Sequence, residues 1–141
     1  MNAEKNVITI RADVKSPVEE VWFCWTTPKE IMKWNFASDD WHTTSVVNDL
    51  TVGGKFSSRM EAKDGSMGFD FWGTYDEIIY PKHIAYTLGD ARKVKIEFIN
   101  LSDRTEIIES FEAENENTLE LQQNGWQSIL DNFKKYVENS K

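Results

Sequence analysis

Two carboxylates and an imidazole stand close together at Asp39, Asp40 and His42, with Trp41 between them. Side chains of these types at such spacing can ligate a metal ion or relay a proton. No further ligand stands nearby in the sequence, and the only other histidine, His83, follows a turn proline. Solvated loop residues, with an aspartate capping a turn, are the preferred reading, and no metal is expected. A second polar group lies in the run KFSSRMEA. Period-2 alternation puts Arg59 and Glu61 on one side of a strand and Phe56, Ser58, Met60 and Ala62 on the other. The apolar side is expected to face a cavity, which leaves Arg59 and Glu61 as an outer pair. A bulge after Gly53-Gly54 would exchange the faces and turn Arg59 into a pocket cation for a ligand carboxylate or phenolate. In TEIIESFE, Ile107, Glu109 and Phe111 share one side. Glu109 is then either an acid among cavity residues, its pKa raised for want of a partner, or a carboxylate reaching solvent at the open end of the sheet. The second reading is preferred on sequence.

No nucleophile elbow, Cys-x-x-Cys pair, phosphate-cradling glycine loop or dinucleotide fingerprint is present, so no cofactor is expected and no reaction can be named. The single cysteine, Cys24, sits in VWFCW and reads as a small buried hydrophobe rather than a reactive thiol. A formal charge of −8 argues against phosphate backbones and anionic lipid surfaces, so neither nucleic acid nor membrane is an expected partner. The opening MNAEKNVITI lacks the layout of a signal peptide and no run is long and apolar enough to span a bilayer, which makes a cytoplasmic protein the expectation.

The elements that must position these groups are legible from spacing. VITIRADV alternates as a first strand. Ser16-Pro17-Val18-Glu19 and Thr27-Pro28-Lys29-Glu30 both read as helix starts, with Ser16 and Thr27 as caps and a glutamate returning to each cap. Two short helices are therefore expected, over about 17–25 and 28–34. From about 43 to 112 the chain reads as strands separated by turns: TTSVVNDL, KFSSRMEA, FDFWGTYDEIIY, HIAYTL, KVKIEFIN and TEIIESFEAE. A last helix, capped by Asn117 and running to about 138, carries Trp126, Ile129, Leu130, Phe133 and Val137 on one stripe. With no linker or repeat, residues 1–141 read as one domain.

This order of elements is the helix-grip layout: α+β, a curved antiparallel sheet of about seven strands, two short helices after the first strand, and a long C-terminal helix across the concave face. Six Trp and eight Phe exceed what a core of this size needs, so an aromatic-lined cavity is expected between sheet and helix. Its expected lining is Trp34, Phe36, Met60, Phe69, Phe71, Trp72 or Tyr75 according to register, Phe111, Trp126, Leu130 and Phe133, around a volume of roughly 300 to 1,000 Å³. The competing reading is that these side chains fill the space completely.

The run SPVEEVWFCWTTPKEIMKW, then NDLTVGG with KFSSRMEAKDGS, and finally GWQSILDNFKKY, resemble the AHSA-type family, homologues of the ATPase activator of the ninety-kilodalton heat-shock chaperone, within the START-like (SRPBCC) superfamily. The likeness spans about Ile8 to Glu138, and it implies the helix-grip fold and a single-domain member of the bacterial type. The eukaryotic activators carry a further N-terminal domain, whereas this chain begins at the first strand, so a chaperone partner is not expected. Three functions follow as expectations. The first is binding of a lipophilic or aromatic small molecule. The second is an enzyme of the cyclase or hydrolase kind using Asp39, Asp40, His42, Arg59 or Glu109. The third is an interaction protein, a homodimer or chaperone partner, using exposed aromatics such as Trp41.

Overall fold

The structure, a computed structural model, describes residues 6–140. The reading of the chain's opening as no signal peptide rests in part on residues 1–5, outside the described ones. Strand β1 (Val7–Val14) alternates as its sequence does, burying Ile8, Ile10 and Val14. Helices α1 (Val18–Thr26) and α2 (Pro28–Trp34) follow at once. Strands β2 (Trp41–Asn48), β3 (Lys55–Ala62), β4 (Gly68–Ile79), β5 (His83–Leu88), β6 (Lys93–Leu101) and β7 (Arg104–Glu112) then form a meander, and α3 (Leu119–Asn139) ends the fold.

All seven strands join one antiparallel sheet in the order β1-β7-β6-β5-β4-β3-β2, so the first strand pairs with the last. Register shifts interrupt β2 between Thr43 and Ser45 and β4 between Tyr75 and Glu77. Bulges of this kind increase local twist and help the sheet curl. The β2–β3 turn depends on glycine: Gly53 has φ +85°, and a Cβ on Gly54 would stand 2.3 Å from the Asp49 carbonyl oxygen. That close approach lets the Gly53 and Tyr75 amides bond across to Tyr75 and Gly54 at 2.8 and 2.9 Å.

On the concave side α3 buries Leu130, Phe133 and Val137, each worth ~1.5 to 3 kcal/mol when removed from water. Side chains of α3 also reach backbone at its margins. Gln127 donates to the Arg11 carbonyl at 3.0 Å, Asn132 to the Trp34 carbonyl at 3.0 Å, and Glu138 accepts from the Lys15 amide at 2.9 Å.

The helix starts differ from expectation in three places. Ser16 is not the cap of α1; Pro17 occupies that position in extended conformation. Ser16 instead turns β1, its amide bonding to the Val14 carbonyl at 2.8 Å and its own carbonyl accepting from the buried Thr105 hydroxyl at 2.9 Å. Its hydroxyl is left without a partner among the described residues. Thr27 does sit at the N-cap of α2 but makes no side-chain cap bond, and Glu30 reaches away to accept from the Tyr136 hydroxyl at 2.6 Å, tying α2 to α3. For α3 the cap is Thr118, whose hydroxyl accepts from the Leu121 amide, while the Asn117 side chain is drawn to Glu114 at 2.7 Å.

Candidate functional site

Sheet and helices enclose a cavity of about 280 Å³. Its walls are aromatic because several strands turn alternate residues inward. From β3 come Phe56, Ser58 and Met60; from β4, Phe69, Phe71 and Tyr75; from β5, Ile84 and Tyr86. Val46 and Asn48 of β2 close one side, Trp25, Ile31, Trp34 and Asn35 another, and Trp126, Ile129 and Leu130 of α3 form the roof. The rings brace each other. Phe56 lies 4.7 Å from Tyr86 and 5.2 Å from Tyr75 between ring centroids. Trp126 stacks flat on Phe111 at 3.8 Å, and Trp25, Trp34 and Phe133 meet at 4.8 to 5.1 Å. A second, polar hollow of about 380 Å³ lies between the α2 exit and α3, lined by residues such as Ser38, Asp39, Asp131 and Lys135.

Polar groups in the aromatic cavity are few. Tyr75 donates its hydroxyl to Asn48 at 2.6 Å, and Asn48 in turn donates to the Thr26 carbonyl at 2.7 Å. Arg92, at the β5–β6 turn, is committed to Asp90 at 2.7 Å and to the Glu112 carbonyl at 3.3 Å. Glu109 lies on β7 between Ile10 of β1 and Ile96 of β6, 6% exposed, and among the described residues nothing donates a hydrogen bond or ion pair to its carboxyl. Burial pushes its pKa from 4.5 up to about 8, so the fold holds it mostly as the neutral acid at pH 7. Burial also raises Tyr86, and the nearby Glu109 charge adds to the rise.

Of the nominated apolar residues, Trp34, Met60, Phe69, Phe71, Tyr75, Trp126 and Leu130 line this cavity. Phe111 and Phe133 are buried one layer behind, under Trp126 and Trp34. Phe36 faces the second hollow. Trp72 is on the outer face, 43% exposed beneath Lys55, because its neighbour Phe71 takes the inward position.

Among the polar nominees only Glu109 lines the cavity, which reverses the preference for solvent, since the inward row of β7 is buried along its length. Arg59 is outside, ion-paired with Glu61 at 3.0 Å and Asp70 at 3.5 Å. The bulge that could have turned it inward falls in β2 instead, leaving the parity of β3 intact. Asp39 borders the polar hollow, Asp40 accepts from Ser38, and His42 stands on β2 opposite Glu61. These three do not converge, and among the described residues no cluster of His, Cys, Asp and Glu could hold a metal ion. Trp41 packs against Phe69 at 5.9 Å. Cys24 is buried, its pKa raised to about 11 first by burial and then by Glu30 and Glu20.

Sequence reasoning missed Tyr86, Trp25 and Arg92 as lining residues. The alternation in HIAYTL carried the signal for Tyr86, because Ile84, Tyr86 and Leu88 share the inward face. Nothing local marked Trp25 or Arg92, whose positions depend on how a helix and a turn pack over the sheet.

A seven-stranded antiparallel sheet gripping a long terminal helix over an aromatic cavity defines a START-like, helix-grip protein. Within that class the chain belongs to the family described as "Activator of Hsp90 ATPase homolog 1-like protein", whose profile matches residues 15–138, in agreement with the resemblance drawn from its motifs. It is similar to the AHSA1-like protein from Aeromonas hydrophila, with 45% identity over 96% of this chain and 94% of that one and a TM-score of 0.91. It is also similar to a protein from Cytophaga hutchinsonii, with 50% identity over 94% and 92% and a TM-score of 0.82. A protein from Chromobacterium violaceum, 23% identical over 94% and 98% with a TM-score of 0.83, shares the fold. No curated protein matches the chain. No described helix is long and apolar enough to cross a membrane.

Proposed function

We propose that this domain binds a lipophilic, ring-bearing small molecule between its sheet and its last helix. The observation that carries the reading is the cavity of about 280 Å³ walled by Trp25, Trp34, Phe56, Phe71 and Trp126. That volume lies near the lower end of ligand pockets, roughly 300 Å³, and suits a compact guest of two or three fused rings rather than a long acyl chain. Enzymatic action on such a guest would rest on Glu109 alone, since Asp39, Asp40, His42 and Arg59 lie elsewhere. The formal charge of −8 disfavours nucleic acid and anionic membranes as partners.

A thermal-shift screen of flavonoids, polyketide-like aromatics and fatty acids tests the proposal. A ligand at about 100 times its Kd adds ~2.7 kcal/mol, which moves the melting temperature by several degrees in a domain of this size. Ser58→Phe places a ring in the cavity and is expected to abolish the shifts while leaving a cooperative transition. A flat profile for the native chain, together with native mass spectra of protein from its own host that show no retained compound, would remove the proposal.

A further inference from the structure

Two hydroxyl-bearing groups in the cavity lack a partner among the described residues. The Tyr75 hydroxyl is satisfied by Asn48, but among the described residues no acceptor takes the hydrogen of Tyr86, and no group bonds the Glu109 carboxyl. Both residues are buried, at 7% and 6% exposure, and both line the same space. Buried polar groups are nearly always hydrogen-bonded, so a pair left open toward an aromatic cavity marks where a ligand atom completes the set.

The groups around Glu109 determine which atom that is. Tyr86 of β5, Tyr75 of β4 and Arg92 of the β5–β6 turn line the same cavity, the charge of Arg92 being balanced by Asp90, and of the three Tyr86 is the one on which the Glu109 charge acts. The residues paired with it on β1 and β6, Ile10 and Ile96, and the α3 residues Trp126, Ile129 and Leu130 carry no charge. With no cation assigned to it, the carboxyl is held as a neutral acid, which is a donor, and a neutral tyrosine is a second donor. Two O–H donors that line one cavity, neither taken up by an acceptor among the described residues, form an arrangement suited to an electron-rich oxygen.

We infer that the ligand carries a carbonyl or phenolic oxygen on its ring system, and that Glu109, as the neutral acid, and Tyr86 donate hydrogen bonds to it while the rings lie among Phe56, Phe71 and Trp126. This rests on the pocket reading above and specifies its chemistry. No bond is made or broken; the step is recognition. Ionisation of Glu109 would remove one donor and place a negative charge beside the ligand oxygen, so affinity for a ketone is constant at low pH and declines as pH rises through about 8, by up to about tenfold per pH unit beyond it.

Calorimetric titration with 1-tetralone, its hydrocarbon counterpart tetralin, and the cationic 1-naphthylmethylamine tests the inference. The expected result at pH 6.5 is that the ketone binds about tenfold or more tightly than the hydrocarbon, and that this preference shrinks at pH 9. Tyr86→Phe and Glu109→Leu are each expected to reduce the ketone-to-tetralin affinity ratio several-fold. In Glu109→Gln, which keeps a donor but cannot ionise, the decline with pH disappears. Equal affinity for ketone and hydrocarbon would overturn the inference and leave the cavity as a simple apolar site. Tightest binding of the amine, with affinity rising with pH toward 8, would overturn it in favour of an ion pair with Glu109. Failure of all three probes, with Ser58→Phe indistinguishable from the native chain, would remove the pocket reading as well.

Discussion

Glu109 is the side chain whose environment departs furthest from what its type prefers. Its folded pKa is raised from 4.5 to about 8, chiefly by burial. The folded state therefore holds the proton more tightly than the unfolded chain, so the stability linked to this group is full below about pH 4.5 and falls as pH rises toward 8, beyond which it is constant. Each pH unit in that window removes up to about 1.4 kcal/mol. Glu109→Gln is expected to flatten the slope and to be the more stable protein at pH 8, as read from urea midpoints at pH 5, 6.5 and 8. Parallel curves for the two proteins would show that Glu109 ionises normally in the fold. Parity alone put Glu109 beside Ile107 and Phe111, but the sequence could not show that the middle of β7 is roofed by α3. A glutamate in a strand is more often solvated, and that general tendency gave the wrong preference here. The same strand logic succeeded at Arg59, where alternation was undisturbed.

At the scale of elements, strands were the more legible part. β3 and β5 match their expected bounds, since each is a short alternating run between turn residues. β2 begins at Trp41, two residues before the expected start, because Trp41 pairs with Ala62 across the hairpin. Helix starts were read one residue off at both α1 and α3, where hydrogen bonds elsewhere take the residue expected as the cap. Ser16 is taken by the β1 turn, and Asn117 by Glu114. These assignments can be checked by substitution. Thr118→Ala is expected to cost about 1 kcal/mol in thermal or urea unfolding, whereas Asn117→Ala leaves the α3 cap bond in place and should cost less. Gly54→Ala should cost more than either, because the added methyl meets the Asp49 carbonyl oxygen at 2.3 Å and must push the turn away from Tyr75. Equal effects of the two cap substitutions would contradict the assignment of Thr118.

Over the whole molecule, one core joins the concave side of the sheet to all three helices, with Trp22, Trp34, Phe98, Phe133 and Val137 among its members. The overall architecture was legible because every level of the sequence agreed on it: strand alternation, turn residues and a single amphipathic stripe. The cavity's size was not, since it is the difference between large packed volumes that no residue pattern records. Removing α3 after residue 118 strips Leu130, Phe133 and Val137 from this core. Such a chain is expected to show no cooperative unfolding by circular dichroism; a sharp transition would mean that the sheet is stable without its helix.

The pairing of β1 with β7 also orders events while the protein is being made. β1 has its sheet partner some hundred positions later, as in Ile8 beside Phe111. Until that partner emerges, Ile8, Ile10 and Val14 have no β7 to rest on, and the sheet lacks its outermost strand. The sheet is therefore closed only once β7 is available, and the pocket comes into being after that, when α3 can cover it.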